Sequence, residues 1–327
     1  MMSLREKLIR ELRRRGPIGI DQYEIEELMG FSKSTASEAL SKLEAEGIIA
    51  RRQISGRSKR VWLREFIPYR DPEMIRIGCL KSTEYAGFLS AAKDYCENKG
   101  IKAVIRFYND ATSILHDLST GTLEFGLSPI FTETLFALSR HDIVIAGPVA
   151  SGGSGIFENP ASCENIVATS ESTSMMLLSR EFRRREGDVK ITIFSDPIKA
   201  SDGFRAGDFR YIAIWEPYAS VIGANKLYDY SDLMDTFPCC GIAVSSGRSK
   251  DADLKSIIDA YRETDVEIRS DVIDMLSKAT RCSKRAVMNS LGSYNFKLKY
   301  DMQTILRYMD FIGYPASEDA IKKVFLL

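Results

Sequence analysis

Histidine is nearly absent from this 327-residue chain, which has only His116 and His141. His116 falls in a surface-helix pattern and His141 just before a strand, neither beside an evident base, nucleophile or metal partner, so no catalytic residue is expected. No apolar run reaches the about 18 residues that a spanning helix needs, and Met1 to Arg15 is too charged for the apolar core of a signal peptide. The expected location is therefore the cytoplasm, with no membrane partner. Six cysteines (Cys79, Cys96, Cys163, Cys239, Cys240 and Cys282) show no CxxC spacing and no nearby histidine. Neither a zinc site nor a disulfide framework is indicated, so no metal and no cofactor are expected.

A net charge is also lacking, because 45 Lys and Arg balance 45 Asp and Glu. The balance hides an asymmetry: residues 1–66 carry 14 basic against 10 acidic side chains, leaving 31 against 35 for the remainder. A basic module joined to a mildly acidic one suits a nucleic-acid binder with a separate second function. The length itself predicts more than one core.

In the first 66 residues, Leu4, Leu8, Ile9 and Leu12 recur at helical spacing until Gly16-Pro17, which predicts a helix over 2–15. A second helix is expected near 22–29, broken by Gly30-Phe31. Ser32 caps a third, whose Ala36, Ala39, Leu40 and Leu43 face inward before Gly47. Ile48-Ile49-Ala50 and Arg60-Val61-Trp62-Leu63 read as strands of a hairpin turning near Ser55-Gly56. Three helices and a hairpin are the winged-helix order. The stretch Phe31-Ser32-Lys33-Ser34-Thr35-Ala36-Ser37-Glu38-Ala39-Leu40, with Lys42-Leu43-Glu44 and Gly47-Ile48-Ile49 after it, resembles the recognition helix of MarR-like regulators.

That resemblance implies double-stranded DNA as partner. A recognition helix enters the major groove by its N-terminal end, where short hydroxyls and a cation reach bases and phosphates; Lys33, Ser34, Thr35 and Ser37 hold those places. On the wing, Arg51, Arg52, Arg57, Lys59 and Arg60 could follow the backbone or enter the minor groove. Glu38 departs from the basic or neutral polar residue common in relatives; it either accepts from a cytosine amino group or repels phosphate. The bland alternative for the module is a winged helix used for protein contacts.

Pro68 to Pro72 reads as a stiff linker. Beyond it, strands at 75–80, 104–107, 125–128 and 142–147 alternate with helices, which implies a parallel sheet. A second alternating set follows Ser151-Gly152-Gly153-Ser154-Gly155, with strands at 165–168, 190–194 and 211–215, and the chain turns mainly helical after Val244. Gly78-Cys79-Leu80 with Tyr85, the run Gly121-Thr122-Leu123-Glu124-Phe125-Gly126, and Trp215-Glu216-Pro217-Tyr218 resemble the type 2 periplasmic-binding fold of the sulfonate, nitrate and thiamine-precursor binding group. The expected fold class is thus an α+β winged helix followed by a two-lobed α/β periplasmic-binding-protein-like (type 2) domain. The expected boundaries are a winged helix at 1–66, a linker at 67–73 and a two-lobed domain at 74–327. Lobe I takes about 74–150 and 245–327, lobe II about 151–244.

In that fold a small-molecule effector sits between the lobes, which close on it. The candidate contacts are Tyr85, Asn109, Ser128, Ser151, Ser154, Ser172, Thr173, Ser174, Trp215, Glu216 and Tyr218. Hydroxyls and free N–H groups before the helix at 173 could dock an anion, or merely cap the helix. Trp215 either stacks on a planar ligand or fills the core, and Glu216 either binds an amine or is solvated. The glycine run at 152–155 lacks the Lys-Ser/Thr of a P-loop, so nucleotide hydrolysis is rejected. Vicinal Cys239-Cys240 reads as two small strand residues rather than a redox pair.

The expectation is a ligand-responsive transcription regulator, not an enzyme, sensing a small anionic or heterocyclic metabolite as a homodimer or higher symmetric oligomer. The competing readings are a thiamine-precursor-type enzyme and a ligand-free dimerisation domain on a DNA-binding protein.

Overall fold

The computed structural model describes residues 3–30, 32–56, 58–171, 173–232, 239–263, 267–296, 299 and 301–326. Its first helix, α1 (Leu4–Arg15), starts at a reciprocal Ser3–Glu6 capping box, buries Leu8 and Leu12 and ends with Arg13 to Arg15 against the carbonyl end of its dipole. β1 (Ile20–Asp21), a strand too short for its pattern to be read from sequence, leads into α2 (Gln22–Met29). Gly30 follows in the left-handed region, then α3 (Lys33–Ala45), whose N-cap Ser32 accepts from the Thr35 amide. The wing is β2 (Ile49–Ser55) and β3 (Ser58–Leu63), in a sheet ordered β1-β3-β2.

Alternating apolar residues of these elements, among them Ile20, Leu40, Ile49, Val61 and Leu63, form a small core of their own. Gly19 is obligatory beside it: φ is +67°, and a Cβ there would come within 2.5 Å of the Trp62 ring.

The remaining chain builds two mixed sheets. The first set of elements is β4 (Met74–Leu80), α4 (Ala86–Lys99), β5 (Lys102–Tyr108), α5 (Ala111–Ser119), β6 (Phe125–Pro129), α6 (Ile130–Arg140) and β7 (Ile143–Gly152). The second is β8 (Ser154–Glu158), β9 (Ile166–Ser170), α7 (Ser174–Glu186), β10 (Lys190–Phe194), α8 (Pro197–Ala206), β11 (Tyr211–Trp215), α9 (Tyr218–Ile222) and β12 (Asn225–Asp229). β13 (Cys240–Ser245) then rejoins the first sheet, followed by α10 (Ala252–Glu263), α11 (Ser270–Thr280), α12 (Lys284–Leu291), β14 (Tyr294–Asn295), α13 (Met302–Phe311) and α14 (Glu318–Val324).

The sheet orders are β14-β7-β13-β6-β4-β5 and β10-β9-β11-β8-β12. Pairing is parallel where the β-α-β alternation predicts it, between β4 and both β5 and β6, and between β9 and both β10 and β11. The sheets are not wholly parallel as the alternation implies. The chain crosses between them twice, and β13 returns antiparallel to both β6 and β7, while β8 enters antiparallel to β11. The first crossing passes through Gly152 and Gly153, with φ of +86° and +67°; a Cβ on Gly153 would lie 2.2 Å from the Tyr294 ring. The glycine run is therefore a crossing point that admits a packed tyrosine.

Candidate functional site

Two surfaces matter: the outer face of α3 with the wing, and the cleft between the two sheets. On α3, Lys33, Ser34 and Thr35 are exposed and Ser37 is half-buried. The Ser32 hydroxyl lies 2.9 Å from those of both Ser34 and Thr35, so the cap also orders the hydroxyls at the helix start.

On the wing, several cations are committed within the protein. Arg51 donates to Glu44, with Nε–Oε2 at 2.8 Å, and Arg60 forks onto Asp21 at 2.9 and 3.1 Å. Arg52 lies 5.0 Å over the Tyr69 ring. Lys59 is exposed, and Arg57 lies outside the described residues.

The segment after the wing is fastened to the larger domain. Arg76, fully buried on β4, pairs with the equally buried Glu124 at 2.8 and 2.9 Å. It donates to the carbonyls of Ile67 as well as to those of Tyr69 and Gly121, both at 3.0 Å. Arg248 completes the cluster at 2.6 Å from Glu124. Arg64 forks onto Asp71 at 2.6 and 3.0 Å. The two prolines thus lie in a strap whose carbonyls are held by a buried guanidinium, and Glu124, singled out by its sequence motif, is the carboxylate that neutralises it.

Across the cleft, the end of β11 docks on the loop after β4. Trp215 Nε1 donates to the Lys81 carbonyl at 3.2 Å. The Glu216 carbonyl accepts from the Ser82 and Tyr294 hydroxyls, each at 3.3 Å, and from the Thr83 amide at 3.4 Å. The Glu216–Pro217 bond is cis.

Beside this junction is a cavity with about 290 Å³ of empty space including its mouth, lined in part by Glu84, Tyr85, Thr173, Trp215, Cys239 and Cys240. Of the sequence candidates, it brings together Tyr85, Thr173 and Trp215. Ser154 and Ser174 are buried; Ser174 donates to the Cys239 carbonyl at 3.3 Å, and Thr173 caps α7 through the Met175 amide at 3.2 Å.

The others are placed elsewhere. Ser128 is buried and binds Glu133 through its amide and hydroxyl, at 3.1 and 3.0 Å. Glu216 accepts from the Ser220 amide and hydroxyl at 2.9 and 2.8 Å, holding the first turn of α9. Tyr218 belongs to an apolar cluster on the second sheet. Asn109 is exposed against Lys81 at 2.7 Å, Ser151 pairs with β14, and Ser172 lies outside the described residues.

Sequence reasoning passed over Glu84 and set aside the cysteine pair. Glu84 stands just after β4, beside Tyr85, and only its place in a strand-end loop hinted at a role. It is 3% exposed, and its Oε1 has no hydrogen-bond partner among the described residues. Burial, and next the nearby Cys239, push its carboxyl well above the ordinary range. Cys239 is drawn the other way, below the usual thiol value, first by a hydrogen bond from Cys240 and then by Ser174; burial opposes this. One ligand atom from each of Glu84, Cys239 and Cys240 lies within 4.8 Å of the others. Among the described lining residues there is no Lys, Arg or His.

A three-stranded winged helix joined to a pair of mixed sheets with two crossings defines the class: a winged helix fused to a two-lobed binding-protein-like domain. Residues 6–60 match the MarR family profile. The larger part is similar in fold to the ligand-binding component of an ABC-type import system from Staphylococcus aureus, solved with zinc bound, with TM-score 0.63, 13% identity, and 77% of this chain and 99% of that one covered. It is also similar to the periplasmic aliphatic sulphonate binding protein of Escherichia coli, with TM-score 0.61, 19% identity and coverage of 79% and 93%. The periplasmic nitrate-binding protein of Synechocystis PCC 6803 gives 0.59, 13%, and 79% and 87%. No curated protein sequence matches the chain. No helix among the described residues is long and apolar enough to cross a membrane.

Proposed function

We propose that the chain is a ligand-responsive DNA-binding transcription regulator, with residues 1–66 binding duplex DNA, 67–73 acting as the strap, and 74–327 sensing a small molecule without catalysis. The observation that carries the reading is the strap itself: the winged helix is tied through Arg76, Glu124 and Arg248 to the domain that holds the cleft. A change in the angle between the lobes can thereby reach the recognition helix.

At the DNA, Lys33 contacts phosphate while Ser34, Thr35 and Ser37 approach base edges. Arg52, Arg57 and Lys59 reach the backbone, and Arg51 and Arg60 shape the wing through Glu44 and Asp21. In the cleft, Tyr85, Thr173 and Trp215 line the effector site, with Ser154 and Ser174 behind them. The lining lacks a cation, which favours a neutral or positively charged effector over the free anion expected from the helix N-terminus. Two copies in the cytoplasm, reading paired half-sites, form the working unit; the exposed Ile18, Tyr23 and Leu28 of the winged helix supply apolar surface for it.

Thermal unfolding of the purified chain against panels of amines, heterocycles, sulfonates and carboxylates tests the sensing half. A compound at about 100 times its Kd adds about 2.7 kcal/mol, and that gain disappears in Trp215→Ala. No stabilisation by any panel member or by a divalent metal ion would leave the larger domain as a dimerisation module.

A further inference from the structure

We infer that Glu84, Cys239 and Cys240 form a binding site for a thiophilic divalent metal ion at the floor of the cleft. This names the effector class for the sensing site proposed above, and rests on that reading only for its regulatory consequence.

The donor set is the first argument. Two sulfurs and a carboxylate suit a soft or borderline ion of the zinc and cadmium kind, and not a hard ion that takes only oxygen. In a tetrahedral site with metal–sulfur bonds of about 2.3 Å, neighbouring sulfurs stand about 3.8 Å apart. The three atoms now lie within 4.8 Å of one another, so closing on an ion asks for movements of about 1 Å or less.

The backbone around the pair is already fixed. Cys239 donates its amide to Ala150 at 3.2 Å, and its carbonyl accepts from the Ile130 amide at 3.0 Å and the Ser174 hydroxyl at 3.3 Å. Side-chain rotation is then the movement required.

The second argument is independent of the cysteines. Glu84 Oε1 is buried against the cavity and unpartnered among the described residues. A buried carboxyl oxygen without a donor is unfavourable, and a bound cation would relieve it. The rest of the lining agrees: Met175 adds a soft thioether, no cationic side chain competes, and the Tyr85 hydroxyl lies 3.3 Å from Cys240 Sγ, where it can orient that ligand.

The cavity, about 290 Å³ including its open mouth, has room for an ion and its water. Position supplies the link to regulation. Cys240 opens β13, the return crossing between the sheets, and Glu84 is in the loop on which β11 docks. An ion bridging them would fix one crossing to that loop.

The test is titration of the full chain, reduced and freed of metal by chelation, with Cd2+, following sulfur-to-cadmium charge-transfer absorption. We expect saturation at one equivalent, loss of the absorption in both Cys239→Ser and Cys240→Ser, and no change in Cys163→Ser. Glu84→Gln keeps both thiols and nearly the same shape. It should still reach the full absorption, with affinity weakened about tenfold or more. Circular dichroism identifies any serine variant that does not fold, in which case Glu84→Gln decides.

Absence of charge transfer in the parent, or its persistence in the folded serine variants, would overturn the site, as would unaltered affinity in Glu84→Gln. DNA affinity is measured separately, with and without one equivalent of Cd2+, and should change about fivefold or more. Intact one-equivalent Cd2+ binding by a chain that binds no DNA would sink the regulator reading alone.

Discussion

The winged helix and the two-lobed domain handle charge in opposite ways. On the winged helix, ion pairs such as Arg60–Asp21 and Arg5–Glu46 are part-exposed, and the start of α3 offers a cation and hydroxyls to solvent. In the larger domain, Arg76 and Glu124 form an ion pair with both side chains fully buried. Surface charge is inexpensive and exchangeable, which suits contact with a polyanion. Buried charge is tolerated only in a fixed arrangement of partners, which suits the anchoring of the strap to the larger domain.

The largest expected effect follows from breaking the buried side of this contrast. Arg76→Met leaves Glu124 with only Arg248 and the residue-76 amide as donors and strips a donor from the carbonyls of Ile67, Tyr69 and Gly121; it should cost about 3–5 kcal/mol in urea unfolding. Gly153→Ala comes next, at about 1–3 kcal/mol, because the backbone is left-handed there and the Tyr294 ring occupies the space; the same unfolding assay reads it.

Lys33→Ala should leave stability within about 0.5 kcal/mol, yet lower the slope of log affinity for DNA against log salt by about one. Asp21→Asn should change stability by less than about 1 kcal/mol, since its partner Arg60 is 35% exposed. The Arg60 hydrogen bond holds the Asp21 carboxyl below its ordinary value. That small contribution is therefore present above about pH 4 and fades as the pH falls through the lowered value of the folded state. Unfolding at a series of pH values compares the parent with Asp21→Asn.

The fold was legible wherever a local rule acted. Ser32 and Gly30 marked the start of α3, and the β-α-β alternation gave the parallel pairs of both sheets. What escaped was set by distant contacts. β1 is two residues long and is stabilised by β3. β12 has a mostly exposed pattern that alternation cannot reveal, and the antiparallel return of β13 follows from chain crossings.

In the cleft, Tyr85, Thr173 and Trp215 were within reach of the sequence because they stand at strand ends and a helix start. Glu216 and Tyr218, read from the same motif, instead anchor α9 and fill an apolar cluster. The approach of Glu84 to Cys239 and Cys240 joins residues about 155 positions apart and left no spacing signal.

Selection of duplexes from a random-sequence pool by the full chain tests the central claim most directly. The account predicts enrichment of a recurring site with two-fold related halves about 10 base pairs apart, and loss of that enrichment in Lys33→Ala with Thr35→Ala. No enriched sequence, or the same enrichment with both side chains removed, would contradict it.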